Sequence, residues 1–278
     1  FNQGRYIEQT ICSVLDQGYP NLEYIIIDGG STDNTLEIVR KYEKQLAWCV
    51  SEPDRGQAHA INKGLEKSTG EIFNWLNSDD YLEKNALFKI GEYFNDHPEK
   101  QVLCGRTRVF YNESGKTSHV YRMGLEKNVA KTILNVEMNQ PGTFYRMSII
   151  KKLGGVNETL RYVFDDELWF KYLCDYGQKN IAFTNRLLAQ FRLHGNSKSV
   201  NEGYGNFNKE IVSIWLEMAK LLRLPDYIIE RISREERFDY YKTKTWGFDN
   251  LDRNFFLAHF CRKYQYIFYR EFKYKEAE

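Results

Sequence analysis

The sequence predicts an α/β fold: a mostly parallel, Rossmann-like sheet flanked by helices, followed by a helical C-terminal region. Three observations lead there. Short apolar runs of strand type alternate with helix-period segments through the first 80 residues, the pattern of a parallel α/β sheet. Acidic and turn-forming clusters follow two of these runs, at the strand ends where such sheets bind ligands. After about residue 200 the strand signals stop and amphipathic helical spacing takes over.

The elements follow in order. Ile7, Ile11, Val14 and Leu15 recur at helical intervals, and Gly18-Tyr19-Pro20-Asn21 ends that helix. Residues 22–27 form a β-rich apolar run of the kind buried on both faces, closing on Asp28-Gly29-Gly30. Asp33 suits the N-cap of a helix bearing Leu36, Ile38, Val39 and Tyr42. A second strand is predicted at 47–50, a helix at 58–65 and a third strand at 71–76, which runs into Asn77-Ser78-Asp79-Asp80. A helix follows near 86–94. Residues 102–111 and 117–122 flank Asn112-Glu113-Ser114-Gly115 as a hairpin. Short helices are read at 148–153 and 165–176, and two short strands at 181–183 and 187–191, before a polar loop at 192–197. Residues 211–222 are amphipathic and Pro225 interrupts them. The remainder is rich in Tyr, Phe, Lys and Arg.

Composition narrows the function. The 278 residues carry 39 Lys+Arg against 38 Asp+Glu, a formal charge of +1. That lacks the basic excess needed to hold nucleic acid mainly through its phosphates, so no nucleic-acid partner is expected. At 42% hydrophobic and 28% charged the chain is globular. No apolar run nears the roughly 18–20 residues of a membrane span, and no signal segment opens the chain. Cys12, Cys49, Cys104, Cys174 and Cys261 match no zinc spacing and read as free thiols of a reducing cytoplasm. The start at Phe1, directly before a helix, suggests that a first strand lies upstream.

Four clusters can carry chemistry. Asn77-Ser78-Asp79-Asp80 suits a metal–diphosphate site, since hard divalent cations prefer carboxylate oxygens and leave positions open to phosphates; the alternative is a cap for the helix that follows. Asp28 suits a ribose or base, or else a turn that bonds its own backbone. Asp54-Arg55-Gly56-Gln57 offers a cation and helix N-terminal N–H groups to a diphosphate, or an exposed Arg in a turn. Asp165-Asp166-Glu167 opens a helix, where acids are stabilised by the dipole; crowding three of them also suits a general base. His194, in its polar loop, is a ligand or a solvated residue. Neither a dinucleotide fingerprint nor a Walker loop is present.

Phe1-Asn2-Gln3-Gly4 and residues 24–35 (YIIIDGGSTDNT), 51–64 (SEPDRGQAHAINKG), 69–80 (TGEIFNWLNSDD), 164–169 (FDDELW) and 192–199 (RLHGNSKS) together resemble the family 2 glycosyltransferases, inverting enzymes of the A-type glycosyltransferase fold. The resemblance covers roughly residues 1–200, leaving 201–278 as a helical extension. It implies a sugar transferred from a nucleotide-diphosphate donor, probed first as a UDP-sugar, to an acceptor hydroxyl on a glycan or glycolipid, with Mn²⁺ or Mg²⁺ as cofactor. It gives Asp165 the role of base, Asp28 that of nucleoside reader, and Asp79 and His194 the metal or diphosphate. Asn77 stands where the family's first Asp does, and Gly29 where a second nucleoside-reading acid is common. Arg55, Gln57, Ser78, Asp80 and Asp166 complete the donor site, with Gln140-Pro141-Gly142-Thr143-Phe144 and the ring of Trp169 facing the sugar.

Two rivals remain at this point. A sugar nucleotidyltransferase shares the sheet and metal site but needs a Gly-rich basic loop near its start. A non-catalytic sugar- or lipid-binding module on a degenerate transferase fold is supported by Asn77 and Gly29. The extension also has several readings: peripheral contact with the inner face of a membrane, packing on the core, or a homo-oligomer contact.

Overall fold

A computed structural model describes residues 1–201, 203–236 and 246–267. Part of the Tyr/Phe-rich stretch past residue 235, expected to serve packing or membrane contact, lies outside the described residues. The chain divides into two compact units.

The first unit comprises Phe1–Gly124, Met138–Asp165 and Asn180–Asn201. It opens with α1 (Ile7–Leu15), β1 (Ile25–Asp28), α2 (Thr35–Lys41), β2 (Trp48–Ser51), α3 (Gln57–Lys67), β3 (Ile72–Phe73), β4 (Tyr81–Leu82), α4 (Ala86–Asp96), β5 (Val102–Tyr111) and β6 (Thr117–Tyr121). After α5 (Val129–Leu134), which belongs to the second unit, come β7 (Thr143–Arg146), α6 (Met147–Leu153), the first residues of α7 (Phe164–Tyr176), β8 (Ile181–Leu193) and α8 (Lys198–Asn201). Ile7, Ile11, Ile26, Ile38 and Val39 form one apolar core beneath β1. Val14, Ile90, Phe94, Leu103, Phe144 and Leu188 belong to another, against the larger sheet.

The α/β class and flanking helices are as expected, but strand polarity is more mixed. β1 and β2 pair in parallel as a two-stranded sheet, the α2 crossover between them making that direction possible. The larger sheet runs β3–β7–β5–β8–β4, with β6 beside β5. Only β5–β8 is parallel there; the β3–β7, β5–β7, β4–β8 and β5–β6 pairs are antiparallel. β1 is also not buried on both faces: Ile26 and Asp28 are buried while Ile25 and Ile27 are half-buried.

One predicted strand shortens and two others merge. β3 stops at Phe73 because side-chain amides replace the ladder: Asn74 Nδ2 donates to the Thr143 carbonyl at 2.7 Å, and Gln140 Nε2 to that of Trp75 at 2.5 Å. The two short strands at 181–183 and 187–191 are one strand, β8, with register shifts against Cys104–Thr107 of β5. Gly105 sits in that irregular stretch, and a Cβ there would lie 2.3 Å from Leu188 Cδ1. Asp33 does not cap α2 itself, which starts after Asn34. Its carboxylate instead accepts from Thr35 N at 3.0 Å and Gly4 N at 3.0 Å, stitching the first residues to the 28–35 loop.

The second unit comprises Leu125–Glu137, Asp166–Lys179 and Glu202–Glu278, so it draws on two segments within the first 200 residues besides the C-terminal extension. Its described C-terminal part is helical: α9 (Gly203–Leu221), α10 (Asp226–Glu236) and α11 (Arg253–Lys263). Among the described residues no helix is long and apolar enough to cross a membrane. Cys104 and Cys174 are buried, Cys12, Cys49 and Cys261 half-buried, and all five are free thiols.

Candidate active site

Asn77-Ser78-Asp79-Asp80 forms a tight turn between β3 and β4, and α1 holds it from one side. Thr10 Oγ1 donates to the carbonyls of Asp80 at 2.6 Å and Ser78 at 2.9 Å, Ser13 Oγ accepts from Leu82 N at 3.1 Å, and Gln17 Oε1 from Leu87 N at 2.9 Å. Thr10 and Ser13 share the i, i+3 stripe of α1 and hold the turn and the start of β4, while Gln17, just past the helix, reaches the start of α4.

Arg192, at the end of β8, grips the other side. Its backbone N–H donates to Asp80 Oδ1 at 2.9 Å, its Nε to the Asp79 carbonyl at 2.7 Å, Nη1 to Asn112 Oδ1 at 2.8 Å and Nη2 to Gln9 Oε1 at 2.5 Å. The guanidinium lies over Tyr6, Tyr81 and Phe110, 5.0–5.6 Å from their ring centres, and the residue is 6% exposed. Asp80 is 1% exposed. Burial, with the neighbouring Asp79 charge, pushes its carboxyl well above the usual carboxylate range, against the donors Arg192 N and Asn77.

A side-chain relay crosses the turn. Lys198 Nζ donates to Gln57 Oε1 at 3.0 Å, Gln57 Nε2 to Asn77 Oδ1 at 2.6 Å, and Asn77 Nδ2 to Asp80 Oδ2 at 3.1 Å. An ammonium only donates, so Lys198 sets the direction of both amides.

Asp79 and His194 meet at the same place. Asn196 N donates to His194 Nδ1 at 3.2 Å, which leaves the proton on Nε2, donated to Asp79 Oδ2 at 2.9 Å. His194 is 4% exposed and lies against the Tyr6 ring. Adjacent ligands of an octahedral ion with ~2.1 Å bonds stand about 3 Å apart, so one carboxylate and one imidazole at this spacing fit two positions of a divalent cation. Binding would displace the Nε2 proton. Among the described residues no group of three or more His, Cys, Asp or Glu side chains is gathered for a metal. A cation here therefore takes its remaining ligands from water or phosphate oxygens.

Asp28, at the end of β1, is buried and accepts four hydrogen bonds. Its Oδ2 accepts from Gly30 N, Ser31 N and Ser51 Oγ and its Oδ1 from Ser31 Oγ, all at 2.5–3.1 Å. Burial pushes its pKa up, but the Ser31 and Ser51 hydrogen bonds outweigh that and hold it below the usual range. Gly29 cannot become a second acid without movement, since a Cβ there would lie 2.6 Å from Asp54 Oδ2.

Taken together, the larger sheet and the rim that carries these groups have known counterparts. Residues 1–154 match the Glycosyl transferase family 2 sequence family, more than half of the chain. The chain belongs to the family 2 glycosyltransferases. It is 27% identical over 239 residues to an uncharacterised glycosyltransferase of Rickettsia typhi, covering 82% of this chain and 72% of that one. It is 32% identical over 111 residues to the poly-beta-1,6-N-acetyl-D-glucosamine synthase of Staphylococcus epidermidis, covering 39% and 27%. The crystal structure of S. aureus TarS 1-349 in complex with UDP-GlcNAc shares the fold, with a TM-score of 0.60 and 21% identity over 85% of this chain and 69% of that one. So does a mannosyltransferase of Pyrobaculum calidifontis in complex with GDP-Man and Mn²⁺, at 0.57 and 17% over 93% and 70%.

The remaining residues expected in the transferase site are distributed unevenly. Arg55 is 68% exposed in its side chain and bound to Glu158 Oε2 at 2.5 Å. Ser78 contributes its carbonyl to Thr10. Asp165 is half-buried at the start of α7, next to Phe164, whose ring packs 6.3 Å from Trp75 on the segment leading to Asn77. Asp166 is half-buried on the following residue. Residues 140–144 are buried and brace the end of β3. Trp169 does not offer a ring face: it is 2% exposed and stacked on Tyr172 at 5.8 Å, because α7 turns it into the interior. Arg192, Lys198 and Thr10 were not foreseen as site residues. Arg192 and Lys198 lie within the RLHGNSKS segment, flanking His194, and that was the available signal.

Proposed function

We propose that this chain is an inverting glycosyltransferase that moves a sugar from a nucleotide-diphosphate donor, a UDP-sugar, to an acceptor hydroxyl in polysaccharide or glycoconjugate synthesis. The observation that carries this reading is the Asp79–His194 pair, fixed on a turn clamped by Arg192 and α1. A preformed carboxylate–imidazole pair with few protein ligands suits a cation shared with a diphosphate. The synthase relative and the UDP-GlcNAc complex of TarS support the substrate class. The free thiols fit a cytoplasmic setting.

In this reading Asp165 accepts the acceptor's proton as its oxygen attacks the anomeric carbon from the face opposite the diphosphate, and the single displacement inverts configuration. A divalent cation held at Asp79 and His194 would neutralise the charge that grows on the departing diphosphate. Gln57 and Lys198 hold the amide of Asn77 toward Asp80, keeping a neutral group at the turn where a third carboxylate, beside Asp79 and Asp80, would raise repulsion. Asp28 takes the nucleoside if the Ser31 or Ser51 hydroxyl yields its place on the carboxylate.

Calorimetric titration with UDP in the presence and absence of Mn²⁺ tests this. UDP should bind more tightly with Mn²⁺ than without, and Asp79→Ala should remove the Mn²⁺-dependent gain while leaving the fold. Equal UDP affinity in Mn²⁺ and in chelator would overturn the metal assignment; no UDP binding at all would overturn the donor.

A further inference from the structure

In the second unit, α9 and the end of α11 line a cavity of about 530 Å³ that no part of the transfer reaction uses. Its chemistry is one-sided. Lys209 from α9 and Lys263 from α11 bring two ammonium groups, and neither has a carboxylate partner among the described residues. Lys263 Nζ stands 3.9 Å over the Trp215 ring, and burial lowers its pKa, as happens to an ammonium that loses water without gaining an anion. Trp215 is 4% exposed, yet its indole Nε1–H has no hydrogen-bond partner among the described residues. Buried donors in native proteins are nearly always paired, so this one points to an acceptor that the described residues do not supply. Asn208 adds an amide, Ile211 and Val212 an apolar wall, and among the described residues no acid lines the cavity.

We propose that this cavity binds a phosphomonoester carried on an apolar chain. A phosphomonoester carries a charge of about −1.5 to −2 at neutral pH, which matches the two ammonium groups, and its oxygens are strong acceptors for the orphaned indole N–H. Ile211 and Val212 take the first carbons of the chain. The volume lies within the ordinary range of small-molecule sites. The same chemistry occurs in a soluble alkyl phosphate and in the headgroup of a phosphorylated membrane lipid.

The test uses the whole chain and no transfer assay, so its failure leaves the transferase reading untouched. Calorimetry compares octyl phosphate, octyl sulfate and inorganic phosphate. Flotation compares phosphatidylcholine vesicles with and without phosphatidic acid. Octyl phosphate should bind at least tenfold more tightly than inorganic phosphate or octyl sulfate, and Lys209→Ala/Lys263→Ala should weaken it at least tenfold with an unchanged circular dichroism spectrum. Should the double variant misfold, Lys209→Gln at an exposed position and Trp215→Phe, which keeps a ring but removes the N–H, carry the same expectation singly. Vesicle capture that depends on phosphatidic acid and on the lysines identifies a lipid as the source; octyl phosphate binding without capture identifies a soluble ester. Octyl phosphate no tighter than inorganic phosphate, with no lysine-dependent capture, would overturn the proposal, as would binding unchanged in the lysine variants.

Discussion

At the scale of the residue, three carboxylates of similar sequence signal behave differently because their surroundings differ. Asp28 is held ionised by four donors, Asp80 is pushed toward its neutral form by burial, and Asp79 shares the His194 proton. The first makes a pH prediction. A carboxyl whose folded pKa is depressed contributes stability that is present above its unfolded value, near 3.9, and lost as pH falls through the folded value. Asp28→Asn should therefore cost about 1–3 kcal/mol at pH 7, since the charge-assisted hydrogen bonds from Gly30, Ser31 and Ser51 would become neutral ones and the Ser31 hydroxyl would have to turn from donor to acceptor. Urea unfolding should show that gap closing as the pH falls through the depressed folded value, where wild-type Asp28 is also protonated; a gap constant with pH would contradict the assignment. Asp165 makes a catalytic prediction. Being half-buried at a helix start, Asp165→Asn should fold with a melting temperature near wild type and lose about 10²–10⁴ in transfer rate. A rate within a fewfold of wild type would remove it as base.

At the scale of the element, the site depends on two surfaces that do not look like a site. Thr10 and Ser13 of α1, with Gln17 just beyond it, hold the 78–87 segment. The long strand β8 delivers Arg192 and His194 to the turn only because its pairing with β4 sets Gln190 opposite Tyr81. Its register against β5 passes through Gly105, where Leu188 occupies the space a side chain would need. Gly105→Ala should thus cost about 1–3 kcal/mol by overpacking a central strand, read by chemical denaturation. A neutral substitution would mean that Leu188 can swing aside and that the irregularity between Cys104 and Thr107 is not set by this contact.

At the scale of the whole molecule, the charge of +1 conceals separate local balances. Asp79 and Asp80 stand together at the turn of the first unit, while Lys209 and Lys263 line a cavity in the second with no carboxylate partner among the described residues. Ligand binding should register in global stability. A donor nucleotide with Mn²⁺ at about 100 times its Kd adds roughly 2.7 kcal/mol to the native state, enough to raise the melting temperature by about 5–10 °C in a domain of this size. UDP with Mn²⁺ should give that shift, and a chelator should reverse most of it.

What the sequence by itself determined was local: which stretches are helix or strand, where they stop, and which motifs sit at strand ends. Hydrophobic period, glycine turns and acidic clusters are properties of neighbouring residues, so α1, β1, α2, β2, α3 and α4 were legible, and so were the Asn77–Asp80 and His194 segments as chemistry-bearing loops. Strand polarity was less legible. Apolar runs report burial but not the direction of a partner, and β3, read as one more parallel strand, pairs antiparallel with β7. The tertiary structure alone decided the clamp. Arg192 and Asp80 lie 112 residues apart, His194 and Asp79 115, and Lys198 and Gln57 141, and nothing local in the chain records such meetings. It also decided that Trp169 is interior packing and that Trp215 holds an N–H without an acceptor among the described residues. Whether an aromatic side chain is core or contact depends on what the rest of the chain places against it.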